Sequence, residues 1–255
     1  MSVYQKDKAS DVRQAIKSIY DRQTLRPTEI ILMVDGPVTS ELNELIEQES
    51  RRLSCLVVHR FNENKGLGQA LQAGVELASN EIIARMDSDD IAVPERFELQ
   101  LAYLERHPDV SIVGGQIEEF VGEQANIVGR RSVPHEHSEI AGYIKSRCPF
   151  NHMSVAFRKS AVLKAGNYRP WHFNEDYYLW IRMFENGLIM ANLPEVLVKV
   201  RVGCEMYRRR GGWRYFKSEA RLQGYMFNHG IIGVPQYFYN VAGLSLIHIS
   251  EPTRR

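Results

Sequence analysis

Three carboxylates fall within four positions at Asp87-Ser88-Asp89-Asp90, directly after the apolar run Ile82-Ile83-Ala84. Asp-x-Asp at the end of a buried strand is a way to hold a hard divalent cation. Mg²⁺ or Mn²⁺ takes oxygen ligands, keeps several waters and usually joins one or two carboxylates to a substrate's phosphates. The same residues would also serve as a plain acidic cap for a following helix, since Asp is favoured just before a helix start. Pro94 follows and predicts the first position of an amphipathic helix to His107, with Phe97, Leu101 and Leu104 facing inward. A second acidic pair, Glu175-Asp176, stands at the head of another amphipathic helix, which Gly187 closes. Carboxylates in a first turn stabilise any helix through its dipole, and the same field keeps them ionised, as a base must be.

These groups need elements to position them. Val12, Ile16 and Ile19 lie on one helical stripe. Glu29 to Val34 is a short apolar run ending in the turn Asp35-Gly36-Pro37, and it reads as a buried strand. A helix from about Ser40 to Ser50, a strand from Cys55 to Arg60, the loop Asn62 to Gly66 and a helix from Leu67 to Ser79 follow. The strand Glu81 to Met86 then delivers the acidic stretch. This alternation predicts an α/β fold, a doubly wound parallel sheet with helices on both faces. Ligands of such sheets bind beyond the carboxyl ends of the strands. Asp35, Asn64-Lys65-Gly66 and Asp87-Asp89 all fall at such ends and are expected to share one crevice.

After His107 the pattern becomes mixed α+β. Strands are expected at Val110 to Val113, within Gln116 to Val133, at Met153 to Arg158, and as a pair at Ile189 to Ala191 and Val196 to Val202. Short helices are expected at Ser138 to Arg147 and Ser160 to Ala165, and a last helix ends at Asn228. The basic cluster Arg208-Arg209-Arg210 precedes it.

The 255 residues carry a net charge of +1, which argues against bulk nucleic-acid binding. Cys55, Cys148 and Cys204 lack metal-ligand spacing and fit incidental thiols in a reducing compartment. No stretch reads as a convincing membrane span. Met1 to Tyr4 reads as the tail of a first strand whose beginning is missing. Leu244 to Arg255 continues no preceding pattern, resembles an adapter-derived tail and is set aside from the fold reasoning.

Taken in order, Asp35 after a strand, Asn64-Lys65-Gly66 before a helix, Met86-Asp87-Ser88-Asp89-Asp90, and Glu175-Asp176 heading a helix resemble the family 2 glycosyltransferases with the GT-A fold. The variant with Asp35-Gly36-Pro37, and with Arg210-Gly211-Gly212 late in the chain, looks like the bacterial exopolysaccharide and O-antigen type, such as the amylovoran group. The resemblance covers about Met1 to Asn228. It implies a nucleotide-sugar-binding half over residues 1–107 and an acceptor-side half of the same domain over 108–228. Residues 229–243 would form a C-terminal extension.

The resemblance further implies residue roles. Asp35 sits where the family binds the uracil ring, although Val34 stands where a second Asp is frequent. Lys65 would lie near the donor phosphates. Asp87 matches the donor-binding aspartate and shares the metal with Asp89, the metal ligand; Asp90 is expected to be a capping group. Asp176 would be the catalytic base, with Glu175 an orienting or acceptor-side residue. His152 would orient a carboxylate or touch the donor diphosphate. Trp171 would stack on the acceptor sugar, whereas Phe173, Tyr177 and Trp180 are expected to be partly core. Without a Gln-x-x-Arg-Trp sequence, a processive polymerase is not expected.

The implied activity is an inverting, metal-dependent transfer of one sugar from a nucleotide diphosphate donor, UDP-linked by preference. The implied acceptor is a growing surface glycan or an undecaprenyl-diphosphate-linked one, reached in the cytoplasm or peripherally at the inner face of the plasma membrane. Two alternatives stay open at this point: a sugar-nucleotide pyrophosphorylase, and a non-catalytic module that only holds donor or glycan.

Overall fold

The computed structural model describes residues 1–203 and 212–249, with side chains to residue 243. Cys204 and the Arg208-Arg209-Arg210 cluster lie outside the described residues.

The N-terminal half is the alternating unit the periodicity predicts. Strand β1 (Ser2–Val3) leads through α1 (Ala9–Ile19) to β2 (Ile30–Val34), then α2 (Ser40–Arg52), β3 (Leu56–Arg60) and α3 (Leu67–Leu77). The three strands pair in parallel in the order β1-β2-β3. Val12 and Ile16 of α1 and Leu42, Leu45 and Ile46 of α2 join Leu32 and Val34 of β2 in one buried cluster. That burial is the driving term, at roughly 1.5–3 kcal/mol for each fully buried aliphatic side chain. Thr39 starts α2 by accepting the Leu42 N–H at 3.3 Å.

The remaining strands form a second sheet, ordered β4-β8-β6-β9-β5 with β7 beside β6. Here β4 is Ile82–Ala84, β5 Ile91–Ala92, β6 Val110–Phe120, β7 Ile127–Arg131, β8 Ala156–Arg158 and β9 Ile189–Arg201. The helices of this half are α4 (Arg96–Arg106), α5 (His137–Tyr143), α6 (Lys159–Lys164), α7 (Glu175–Glu185), α8 (Trp213–Asn228) and α9 (Val234–Ile249). Pairing within it is antiparallel except between β6 and β9. The parallel character expected of the whole therefore belongs to β1–β3 and to the β6–β9 pair.

Several local expectations change. Helix α4 begins at Arg96, and Pro94 occupies the turn before it. Between the acidic stretch and that turn lies β5, which pairs Ile91 with Lys199 and Ala92 with Val198. The two strands expected over Ile189 to Val202 are one strand, continuous through Pro194, with register shifts against β6 at Gly114/Gln116 and Gln116/Ile117. Gly114 and Gly115 make this crossing possible. A methyl group on Gly114 would come 2.8 Å from the Phe150 ring, and one on Gly115 would come 2.4 Å from Leu197. Helix α9 continues beyond Gly243, across the boundary drawn from the sequence. Among the described residues, no helix is long and apolar enough to cross a membrane.

Candidate active site

The loop after β2 is fixed first. Gly36 turns with φ +85°, and a methyl group there would collide with the Asn64 backbone at 2.6 Å, so Gly is needed for both conformation and close approach. Asp35 is buried and accepts the Lys65 N–H at 2.6 Å and the Gly66 N–H at 2.9 Å through its two carboxylate oxygens. Asn64 Nδ2 donates to the Asp35 carbonyl at 3.2 Å. Charge-assisted bonds of this kind are about twice as strong as neutral ones. Asp35 thus clamps the Asn64-Lys65-Gly66 loop at the N-terminus of α3. The Lys65 ammonium is exposed and lies 4.7 Å from the Phe61 ring centroid.

The acidic stretch leaves β4 at Arg85. This buried arginine pairs through Nη1 with Asp87 Oδ2 at 2.5 Å. Asp90 is buried and accepts the Arg201 N–H at 2.9 Å, which ties the stretch to β9. Asp89 is exposed at the loop tip, and its carbonyl accepts from Arg201 Nε at 3.2 Å. Ser88 donates to Asp7 at 3.1 Å. Partial burial, with the negative charges of Asp87 and Asp7, pushes the Asp89 carboxyl up to about 6. A cation between Asp87 and Asp89 would relieve that repulsion, so these two oxygen donors fit the divalent ion expected there. Among the described residues no ready-made cluster of three or more ligating side chains exists.

Glu175 and Asp176 open α7. Burial raises the Glu175 carboxyl to about 7, with the adjacent Asp176 adding to the shift. Burial also raises Asp176, against the opposing pull of the Tyr177 backbone N–H and Arg85. His152 Nδ1 stands 4.0 Å from Asp176 Oδ2, and its Nε2 lies 2.9 Å from the Tyr168 hydroxyl. Burial and the nearby Arg85 hold the His152 pKa well below the usual range, so the ring is neutral. Cys148 Sγ lies 3.9 Å from the same carboxylate oxygen.

The two acidic groups share one electrostatic site. Arg85 acts on Asp87, Glu175, Asp176, His152 and Tyr168 alike. The loop after β3 joins them, because a methyl group on Gly68 at the start of α3 would touch Glu175 Cβ at 3.6 Å. Asp35 is placed one step back, acting on this loop.

The aromatic residues divide. Tyr177 and Trp180 are core. The Trp171 ring packs at 4.4 Å centroid distance from Tyr178 and 4.5 Å from the Arg221 guanidinium, and its N–H donates to the Ser218 carbonyl at 3.3 Å. Phe173 is exposed and has φ 61°, in a region non-glycine residues rarely adopt. Sequence reasoning gave Arg85 no role and grouped Phe173 with residues expected to be partly core, whereas it is exposed. Arg85 follows an apolar run and looks like any strand-end cation, and nothing in the spacing announces the backbone of Phe173.

The chain superposes on residues 1–349 of S. aureus TarS in complex with UDP-GlcNAc with a TM-score of 0.68 at 16% identity, over 98% of this chain and 72% of that one. It also superposes on the mannosyltransferase PcManGT from Pyrobaculum calidifontis, in complex with GDP-Man and Mn²⁺, with a TM-score of 0.66 at 15% identity, over 98% and 70% of the two chains. The architecture is that of the GT-A glycosyltransferases. Residues 1–166 match the sequence model of Glycosyl transferase family 2. The amylovoran biosynthesis glycosyltransferase AmsE of Erwinia amylovora is 41% identical over 222 residues, 87% of this chain and 82% of that protein. An Escherichia coli UDP-Gal:alpha-D-GlcNAc-diphosphoundecaprenol beta-1,3-galactosyltransferase is 36% identical over 241 residues, 94% and 86% of the two chains. The chain belongs to glycosyltransferase family 2.

Proposed function

We propose that the protein is an inverting hexosyltransferase that moves one sugar from a nucleotide diphosphate donor, UDP-linked by preference, to a lipid-linked or growing bacterial surface glycan. The observation that supports the reading is that one buried cation, Arg85, pairs with Asp87 and acts electrostatically on Asp89, Glu175 and Asp176. One acidic pair suits the donor side and the other suits proton removal from an acceptor hydroxyl. The names of the similar amylovoran and diphosphoundecaprenol transferases support the polymer class and the lipid-linked acceptor.

On this reading Asp87 and Asp89 would hold a divalent ion, which would supply positive charge to a diphosphate leaving group. Lys65 faces the donor phosphates, and Asp35 shapes the base pocket through the loop it clamps. Asp176 removes the acceptor proton as the hydroxyl attacks the anomeric carbon, which is general-base catalysis. Glu175 orients the acceptor, and neutral His152 positions Asp176. Phe173, exposed beside Glu175, complements Trp171 on the acceptor side. Exposed Trp213, Phe238 and Tyr239, with Arg214, Lys217 and Arg221 on α8, support peripheral contact with an anionic membrane surface at the cytoplasmic face. Family membership stands against the pyrophosphorylase alternative.

The test is calorimetric titration of UDP with and without Mn²⁺, paired with turnover of Asp176→Asn. Metal-dependent UDP binding retained in that variant, with turnover lost by about a hundredfold or more, is the expected result. Binding with no turnover of any UDP-sugar by the unsubstituted chain would point to the non-catalytic module.

A further inference from the structure

Tyr168 is a buried titratable group to which the proposed chemistry gives no task. It stands in the turn between α6 and α7, and its hydroxyl lies 2.9 Å from His152 Nε2. The other ring nitrogen of His152, Nδ1, stands 4.0 Å from Asp176 Oδ2. Phenol, imidazole and carboxylate thus form a series that ends on the proposed base. The buried Trp180 ring packs edge-on against both of its partners, with centroids 6.0 Å from His152 and 6.3 Å from Tyr168.

The helix that carries Asp176 also fixes Tyr168. Arg182 of α7 is buried and donates through Nη1 to the Ala165 carbonyl at 2.6 Å and through Nη2 to the Asn167 carbonyl at 2.7 Å. Asn167 takes φ 55°, a conformation that Asn adopts more readily than most residues. Its Oδ1 accepts the Tyr168 N–H at 2.7 Å, and its Nδ2 donates to the Gln72 carbonyl of α3 at 3.1 Å. These bonds place the phenol relative to both α7 and α3.

The proton count selects the tautomer. Burial and Arg85 keep His152 neutral, so one ring nitrogen carries a proton and the other accepts. Burial raises the Tyr168 pKa above its ordinary value, so the phenol keeps its proton as well. With the imidazole proton on Nε2, the phenol proton would have no acceptor among the described residues, and the Nδ1 lone pair would face a carboxylate. With it on Nδ1, the phenol donates to Nε2 and the N–H dipole faces Asp176. The second arrangement leaves no buried donor of the phenol unsatisfied, which is the costly condition. We propose that Tyr168 is a positioning residue that acts through His152: its O–H donates to Nε2, fixes the Nδ1–H tautomer and aims that N–H at the Asp176 carboxylate. The hydrogen bond at one ring nitrogen sets which proton the other presents, and a base oriented by a third group is a recurrent device. The catalytic part of the proposal rests on Asp176 being the base.

The test reads the imidazole directly. Chains carrying nitrogen-15 histidine are compared by NMR near neutral pH, and the His152 resonances are identified by their loss in His152→Gln. In the unsubstituted chain Nδ1 is expected to carry the proton. In Tyr168→Phe, which keeps the ring and its packing, the Nε2–H form is expected to reach at least about half of the population. A proton on Nε2, or on both nitrogens, in the unsubstituted chain would overturn the proposal, as would a tautomer unchanged in Tyr168→Phe. Turnover gives the second readout. Tyr168→Phe is expected to lower kcat about tenfold and to leave the donor KM and Mn²⁺-dependent UDP binding within about twofold. An unchanged kcat there, beside lost turnover in Asp176→Asn, would overturn the positioning role alone. Full turnover in Asp176→Asn would instead overturn the base assignment and the catalytic part of the proposal with it.

Discussion

Arg85 Nη1 lies 2.5 Å from Asp87 Oδ2, and the arginine side of that pair is buried. The same guanidinium, at the end of the strand that delivers the acidic stretch, acts electrostatically on Glu175 and Asp176. A buried ion pair contributes little net stability when intact, yet losing one partner costs roughly 3–5 kcal/mol. Asp87 is partly exposed, so Arg85→Met is expected to lower unfolding free energy in urea by less than that range, about 1–2 kcal/mol. It should also move the acid limb of the activity profile to higher pH, because the cation that favours the ionised forms of Glu175 and Asp176 is gone. An unchanged limb in a folded variant would separate Arg85 from the base.

Glu175 gives a pH signature of stability. Its carboxyl is raised from 4.5 to about 7 in the folded protein. Between those values the native state holds more protons than the unfolded chain, so stability falls as pH rises from about 4.5 to 7. Glu175→Gln removes that dependence. The variant should match the unsubstituted chain near pH 4.5 and exceed it at pH 8 by up to about 2–3 kcal/mol. Thermal melts at the two pH values check this, and equal gains at both would contradict it.

Asp89 gives a pH signature of binding. Protons compete with a cation at a carboxyl raised to about 6. Mn²⁺-dependent UDP affinity should fall as pH drops below about 6, by up to tenfold per unit, and Asp89→Ala should remove the metal dependence. Calorimetry at pH 5, 6 and 7.5 reads both effects.

Asp35 should act on the loop more than on the fold as a whole. Asp35→Asn keeps one acceptor of the two that hold the Lys65 and Gly66 amides. A loss of about 1–2 kcal/mol in stability is expected. UDP affinity should fall with it, and hydrogen exchange at the two amides should accelerate. Weaker UDP binding with unchanged exchange would instead assign Asp35 directly to the base.

Much of the site was legible because its residues end elements that periodicity reveals. Val12 and Ile16, or Leu42 and Leu45, mark helix faces, and the run through Leu32 to Val34 marks a strand, so Asp35 and the Asp87 stretch fall at their ends. β5 escaped notice because Ile91-Ala92 is too short to show a period. β9 was divided because Pro194 reads as a strand breaker, whereas the register shift beside Gly114 and Gly115 accommodates it. That the Trp171 ring packs against Tyr178 and Arg221 while Phe173 is exposed was not legible, because composition does not report packing.

The sequence by itself determined the local elements, the order of the polar groups along the chain and the family they belong to. Those depend on side-chain pattern and backbone preference within short windows. Only the tertiary structure decided that Arg85 unites the two acidic pairs and that Asp35 acts through the Lys65 and Gly66 amides. It alone also showed that the Tyr168 hydroxyl meets His152 beside Asp176. Each of these depends on through-space distance and shared burial between residues far apart in the chain, where electrostatic and packing energies are set and no sequence period records them.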